Sequence, residues 1–375
     1  MADSETTTTI DMPHHFNHLF AFVSEQAIDA VSVLFDQQYK VQYVTLMGLK
    51  RDMHKAAPIA SVLQDRLGVT VMLHQLPSPH QPMEFCSAVK QLITQGQGKV
   101  AINLNTDDAV CACLVLEVAQ GLQAPVFAIE TQYDRMVWLS ANERSLAPKD
   151  IEDQLRCLDV FEMHGFQYIQ AKQAYDYANK LQCAKELLKL AIADETLILR
   201  CLPRTQHRLQ LAAGYQALVT VLEQHNMVER TGSKQWHFVS EDALNFVRGS
   251  WLEFAVYDVV SKLAPYCKMV DHHRSWAVRH QESALVCEFD IVFMLNNELH
   301  IIECKSGDSR GAKFLTHFEG ITRTHGLRAR TMLVSVDELS PTLVATANGL
   351  GTAQIHGDQL KNLELMLKRW MQGTV

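Results

Sequence analysis

The chain has 375 residues, 47% of them hydrophobic and 20% charged, an ordinary globular composition that is too long for one typical domain and predicts two or three. A formal net charge of −8 excludes wholesale wrapping of nucleic acid, which needs clustered positive charge, although a local basic strip could still hold a short strand. No apolar run approaches the roughly 18 residues that a membrane span requires, and the polar start "MADSETTTTIDMPHH" lacks the pattern of a secretory signal.

Nine cysteines are scattered through the chain without a CxxC pair. That pattern reads as reduced, buried thiols of a cytoplasmic protein rather than a disulfide framework or zinc ribbon. From residue 18 to 140, "HLFAFVS", "VQYVTLM", "VTVMLHQ", "KVAINLN" and "APVFAIE" read as buried strands. Amphipathic stretches with helical spacing alternate with them. Strict alternation predicts right-handed βαβ units and a parallel, Rossmann-like sheet. Ligands of such sheets sit beyond the carboxyl ends of the strands, here "VSEQ", "LMGLKRD" and "NLNTDD". No glycine-rich fingerprint follows the first strand, which argues against NAD or FAD.

Residues 146–245 change character. Helical segments lead to "QLAAGYQALVTVLEQHNMVERTGSKQWHFVS", a helix with two short strands around "TGSK", the pattern of a winged helix-turn-helix. The helix that would enter a DNA groove carries few basic residues, so a connector between domains is the favoured reading. Residues 246–375 read as an α+β domain: a helix, strands, a hairpin, a helix and a final strand "RTMLVSV". The expected boundaries are therefore 1–145, 146–245 and 246–375.

The hairpin "ALVCEFDIVFMLNNELHIIECKSGD" carries the chemistry. By strand alternation Cys287, Phe289, Ile291 and Phe293 share an apolar face, and Glu288 and Asp290 share the other. If Asn296 and Asn297 form a two-residue primed turn, Asp290 lies opposite Glu303 and Glu288 opposite Lys305. Opposed Cβ atoms are about 4.5–5.5 Å apart, and two carboxylates that close repel unless a proton or cation intervenes. Upstream, Leu252, Ala255, Val256, Val259 and Leu263 form one helical stripe. Glu253 stands at its edge as a third carboxylate. Such an oxygen-rich set suits Mg²⁺ or Mn²⁺, with Lys305 placed to orient water or stabilise developing charge. E-x-K alone is a weak signal and commonly a cross-strand salt bridge. The whole constellation points to a metal-dependent nuclease.

"WLE", "EFDIVF" and "IIECKSG" resemble the PD-(D/E)xK, restriction-endonuclease-like superfamily. The resemblance implies Glu253, Asp290 and Glu303 as metal ligands, Lys305 as the catalytic lysine and Glu288 as an auxiliary acid. Downstream, Arg310, Lys313, Arg323 and Arg328 read either as a phosphate-gripping strip or as a solvated helix face. Joined to the Rossmann-like segment, the chain resembles the CRISPR-associated Rossmann fold (CARF) nucleases. That family implies a homodimer that binds a cyclic oligoadenylate and cuts nucleic acid in type III CRISPR antiviral defence. "NLNTDD" departs from the family loop: Asn103, Asn105 and Thr106 fit, but Asp107 and Asp108 replace a glycine pair. Ser24, Glu25, Asn105 and Thr106 are the implied ligand contacts. The plainer alternative is helix capping by Ser24 and by Thr106 or Asp107.

Other features carry less. Asp271, His272 and His273 look like metal ligands, but they open a strand and lack the further acids of a dinuclear phosphoesterase. His317 and His325 lie on the basic strip. Cys304 faces the core, and Trp251 reads as packing. A rival function remains: a ligand-sensing transcriptional regulator that uses the winged helix and cuts nothing.

Overall fold

The computed structural model describes residues 15–24, 27–130, 133–140, 146–152, 154–169, 176–193, 208–210, 215–233, 235–283, 285–306 and 311–373. The chain divides into two compact units, Met1–Leu155 with Glu162–Gly165, and Arg156–Phe161 with Phe166–Val375. No described helix is long and apolar enough to cross a membrane.

In the first unit β1 (His18–Phe22), β2 (Tyr43–Leu49), β3 (Thr70–Leu76), β4 (Val100–Asn103) and β5 (Val126–Glu130) are parallel, in the order β3-β2-β1-β4-β5. Helices α1 (Ala27–Val31), α2 (Ala56–Leu67), α3 (Pro82–Thr94) and α4 (Ala109–Leu122) make the connections. Strand order reverses between β1 and β4, which opens a crevice at their carboxyl ends. The expected parallel sheet needs one correction. Strands β6 (Arg135–Trp138) and β7 (Lys149–Asp150) extend it antiparallel past β5. Residues 131–134 between β5 and β6 are too few for a helical crossover, so the chain must return alongside. Asp108 caps α4, accepting the N–H groups of Val110 at 3.0 Å and Cys111 at 3.1 Å. The cap is neither Thr106 nor Asp107; Thr106 Oγ1 accepts the Asp108 N–H instead.

The second unit is built on a six-stranded mixed sheet. Its order is β16 (Ala353–His356), β15 (Arg330–Ser335), β14 (Glu298–Lys305), β13 (Val286–Leu295), β12 (His272–His280) and β8 (Phe166–Tyr168). β8, β12, β13 and β14 pair antiparallel, and β14, β15 and β16 parallel. The chain does not end its sheet on β15. It adds α11 (Pro341–Gly349), β16 and α12 (Leu363–Met371). β16 has a single buried residue, Ile355, so its sequence carried no periodic signal.

The winged-helix pattern is present as α6 (Tyr177–Ala193), α7 (Gln216–Gln224), β10 (Val228–Gly232) and β11 (Gln235–Phe238), with β9 (Arg208–Gln210) completing a small sheet. Its residues Leu187, Leu222 and Trp236 share one apolar core with Phe293 and Ile302 of the large sheet. Helix α9 (Trp251–Cys267) lies in that core. Leu252, Ala255, Val256 and Leu263 of the expected stripe are buried, Val259 partly so, and Trp251 is fully enclosed. Between α6 and α9 lie α8 (Glu241–Asn245) and a wide π turn at Phe246–Ser250. On the sheet's other face Leu333 packs with Leu315 of α10 (Gly311–His325) and with Leu343 and Ala347 of α11.

Candidate active site

Asn296 and Asn297 join β13 to β14 with φ of 52° and 50°, the left-handed pair that a primed turn needs. The ladder runs from Leu295↔Glu298 to Ile291↔Ile302 and stops there. Up to that point the register is the one the sequence predicts, and Asp290 and Glu303 lie just beyond its last pair. On the other side of β13 the ladder passes from Arg274↔Ile291 to Trp276↔Phe289, skipping Ser275 and Asp290. Ser275 has φ of 51°, a conformation that costs a non-glycine residue roughly 1–2 kcal/mol. Asp290 therefore interrupts both ladders. Its Oδ2 takes the Cys304 N–H at 2.8 Å, filling a place that a strand carbonyl would have held.

Glu253 is brought to this gap by α9. Ser275 Oγ donates to its Oε2 at 3.3 Å, and Arg274 Nη1 lies 3.6 Å from the same oxygen. The Arg274 guanidinium also sits over the Phe254 ring, 3.7 Å from its centroid. Ser306, just past β14, donates to the carbonyls of Arg248 and Gly249 at 3.2 Å each. Both carbonyls belong to the π turn that feeds α9, so the end of the E-C-K strand and the base of the Glu253 helix are tied. No motif marks Arg274, Ser275 or Ser306 in the sequence. Only a break in two ladders exposes their part.

Burial, followed by the charge of Asp290, pushes the Glu253 carboxyl up to about 8. Burial and then Glu303 raise Asp290. Burial raises Glu303 too, with Lys305 opposing it. Lys305 and Glu303 form an ion pair. Burial would lower the Lys305 ammonium, but Glu303 and Asp290 outweigh it and hold it above its ordinary value. Ser335, the register neighbour of Lys305 on β15, is fully buried, and its hydroxyl has no hydrogen-bond partner among the described residues. Glu288 stands exposed at the margin.

The three carboxylates feel one another's charge, yet each has its own local partner, and their oxygens do not close to within 4.8 Å as a set. Among the described residues the set that does is Cys157, Asp271 and His273. His273 Nε2 is 3.1 Å from Asp271 Oδ2, and Cys157 Sγ donates to Asp271 Oδ1 at 3.2 Å. Cys157 opens α5 (Cys157–Met163), 114 residues before Asp271, and this is why the sequence pattern at 271–273 looked short of donors. With the thiol included, the group can hold a divalent cation.

Of the expected basic strip, Arg310 lies outside the described residues, as do the side chains of Lys313 and Arg323. Arg328 is exposed. His317 is exposed, whereas His325 packs against His280 with ring centroids 3.9 Å apart.

At the carboxyl ends of β1, β2 and β4 lies a cleft of ≈ 460 Å³, lined by Arg51, Asp52, Lys55, Thr106 and Asp108 among others. Arg51 reaches Asp52 at 3.3 Å and Asp108 at 3.4 Å. Asn105 is held by the backbone of Ile129, accepting its N–H at 2.6 Å and donating to its carbonyl at 2.9 Å. Ser24 is buried, and Glu25 lies outside the described residues.

Residues 240–374 match the family model of the Card1-like endonuclease domain. No curated protein matches the chain. Among solved structures, protein VC1899 from Vibrio cholerae is similar with a TM-score of 0.80 at 22% identity, over 95% of this chain and 98% of that one. Can2 from Sulfobacillus thermosulfidooxidans, in complex with cyclic tetra-adenylate (cA4), gives 0.79 at 15% identity, over 95% and 97%. A type III CRISPR defence DNA nuclease activated by cyclic oligoadenylate gives 0.54 at 19% identity, over 85% of this chain and 45% of that one. At these identities the likeness is one of fold. The chain thus shares the fold of these structures over nearly its whole length, and its C-terminal residues 240–374 match the Card1-like endonuclease domain model.

Proposed function

We propose that the chain is a metal-dependent endonuclease that cuts DNA or RNA. In this reading a cyclic oligoadenylate, cyclic tetra-adenylate foremost, switches it on in type III CRISPR antiviral defence. The observation that carries the reading is the break at Asp290, where acids from a helix and two strands meet beside a lysine. Their oxygen donors suit Mg²⁺ or Mn²⁺, and burying three mutually repelling carboxyls is costly unless a cation joins them. Glu253, Asp290 and Glu303 would hold the ion. When bound, it supplies Lewis acidity at the phosphate and lowers the pKa of a coordinated water.

Lys305, kept protonated by Glu303, would orient an attacking water or stabilise the charge developing on the phosphate. Glu288 lends negative potential from the margin. Arg328, with Arg310, Lys313 and Arg323, grips flanking phosphates. In the N-terminal domain Ser24, Glu25, Asn105 and Thr106 border the activator, and Arg51 and Lys55 offer charge to its phosphates. The cA4-bound Can2, which this fold resembles, supports that assignment. A cytoplasmic homodimer fits it, since a cyclic ligand of repeated units suits a two-fold axis. Met83 (84% exposed) and Val110 (49% exposed) leave apolar surface bare on helices that follow β3 and β4.

The test incubates the protein with plasmid, single-stranded DNA and RNA in Mg²⁺ or Mn²⁺, with and without cyclic tri-, tetra- and hexa-adenylate. Cleavage that needs both metal and one activator, and that is lost in Glu303→Gln, supports the reading. Duplex binding without cleavage in every lane would replace it with a transcriptional regulator.

A further inference from the structure

We propose that Cys157, Asp271 and His273 form a second metal site, selective for zinc-like ions, that is structural and separate from the Asp290 carboxylates. The three ligating atoms lie within 4.8 Å of one another, with His273 Nε2 3.1 Å from Asp271 Oδ2 and Cys157 Sγ 3.2 Å from Asp271 Oδ1. A tetrahedral zinc ion holds sulfur at about 2.3 Å and nitrogen or oxygen at about 2.0–2.2 Å. The donor set decides the metal. Thiolate and imidazole select zinc over magnesium, whereas the all-oxygen set at Asp290 selects the reverse.

A purely structural account explains part of this arrangement. Both oxygens of Asp271 accept the Cys157 N–H, at 3.2 Å and 3.1 Å, so the carboxylate anchors the start of α5 whether or not a metal binds. That anchoring has no need of His273. It also has no need of a thiol at the anchored residue. Here the imidazole stands on the same carboxylate and keeps 36% of its side chain open, while Cys157 is fully buried. The open imidazole side is a route for ion entry, and the enclosed thiol a dry inner ligand.

Both partners belong to the second unit, so the ion would pin α5 to the first strand after α9. Asp271 already joins the two other donors, His273 through Oδ2 and Cys157 through Oδ1, and three protein ligands leave a fourth position for water. This site does not depend on the proposed cutting reaction. The nuclease reading could fail while zinc still bound, and the reverse also holds.

The experiment uses the full chain, stripped with a chelator and titrated with Zn²⁺ against a chromophoric competitor, then with Co²⁺ as a spectroscopic probe. The expected result is one zinc per chain and a thiolate-to-cobalt charge-transfer absorption. Cys157→Ser should lose that absorption, and His273→Gln should lower zinc affinity by about 100-fold or more, beyond the loss typical of an outer-shell partner. Asp290→Asn and Glu303→Gln should bind zinc as the parent does. Where Cys157→Ser fails to fold, His273→Gln, at a half-open position, decides the matter. No zinc uptake by folded parent protein would overturn the proposal. So would uptake that ignores both the Cys157 and His273 substitutions, or that disappears with Glu303→Gln.

Discussion

Asp290 Oδ2 accepts the Cys304 backbone N–H at 2.8 Å, at the point where the ladder between their strands gives out. Asp290→Asn keeps an acceptor for that N–H and removes only the charge. Cleavage is expected to fall by about 100-fold or more, as for the loss of a metal partner. The melting temperature should hold or rise, because Asp290 is among the charges that raise the Glu253 carboxyl. Calorimetry beside a cleavage assay checks both, and a large fall in melting temperature would mean that the residue is structural.

Lys305→Met separates the ammonium from the acids. Losing one preorganised donor at a phosphoryl centre is expected to lower kcat by about 10²–10³-fold. Metal affinity should change much less, since no oxygen donor is lost. Equal losses in metal affinity and kcat would count against an orienting role.

The metal-free protein should lose stability as pH rises. Folding raises the Glu253 carboxyl from 4.5 to about 8, through burial first and Asp290 second. A folded state that binds the proton more tightly gains its full contribution below about pH 4.5, and that contribution is gone once pH passes about 8. Melting curves in a chelator should therefore drift down between those limits, and Glu253→Gln should flatten the drift. Mg²⁺ should bind more tightly at the upper end, because it must displace protons. A profile unchanged by Glu253→Gln would refute this origin.

Ser306→Ala removes two hydrogen bonds that tie the E-C-K strand to the turn before α9. A cost of about 1 kcal/mol is expected, lowering the melting temperature by roughly 2–4 °C for a unit of this size. Cleavage should fall with Mg²⁺ affinity also weakened, since Glu253 and Glu303 lose their common brace. Unchanged metal affinity would leave the hydroxyl a merely local anchor.

Arg51→Glu reverses a charge in the strand-end cleft of the first unit. The concentration of cyclic tetra-adenylate needed for half-activation should rise by about tenfold or more, with zinc and magnesium binding unaltered. Activation at the parent's concentration would move the activator elsewhere.

Much of this protein was legible in its residues. The five parallel strands announced themselves because each is an apolar run flanked by amphipathic helix, and the Asn296-Asn297 turn fixed the hairpin register. β6 and β7 escaped because they are four and two residues long, too short for an alternating pattern to register. Counting back from the turn put Asp290 opposite Glu303 and Glu288 opposite Lys305. The interruption of both ladders could not be read that way, since the one with β12 breaks at the left-handed backbone of Ser275, a residue with no sequence bias toward it. Cys157 was invisible for a simpler reason: its partners are brought to it only by the fold.

The wide turn at Phe246–Ser250 also sets the angular phase of the helix that follows. Each residue in a helix advances the chain by about 100° around the axis. Deleting one residue from that turn would therefore leave α9 with the same length and composition but rotate Glu253 through about a quarter of a circle, away from Asp290. Spacing along the chain, and not the identity of any acid, is what keeps this carboxylate in reach.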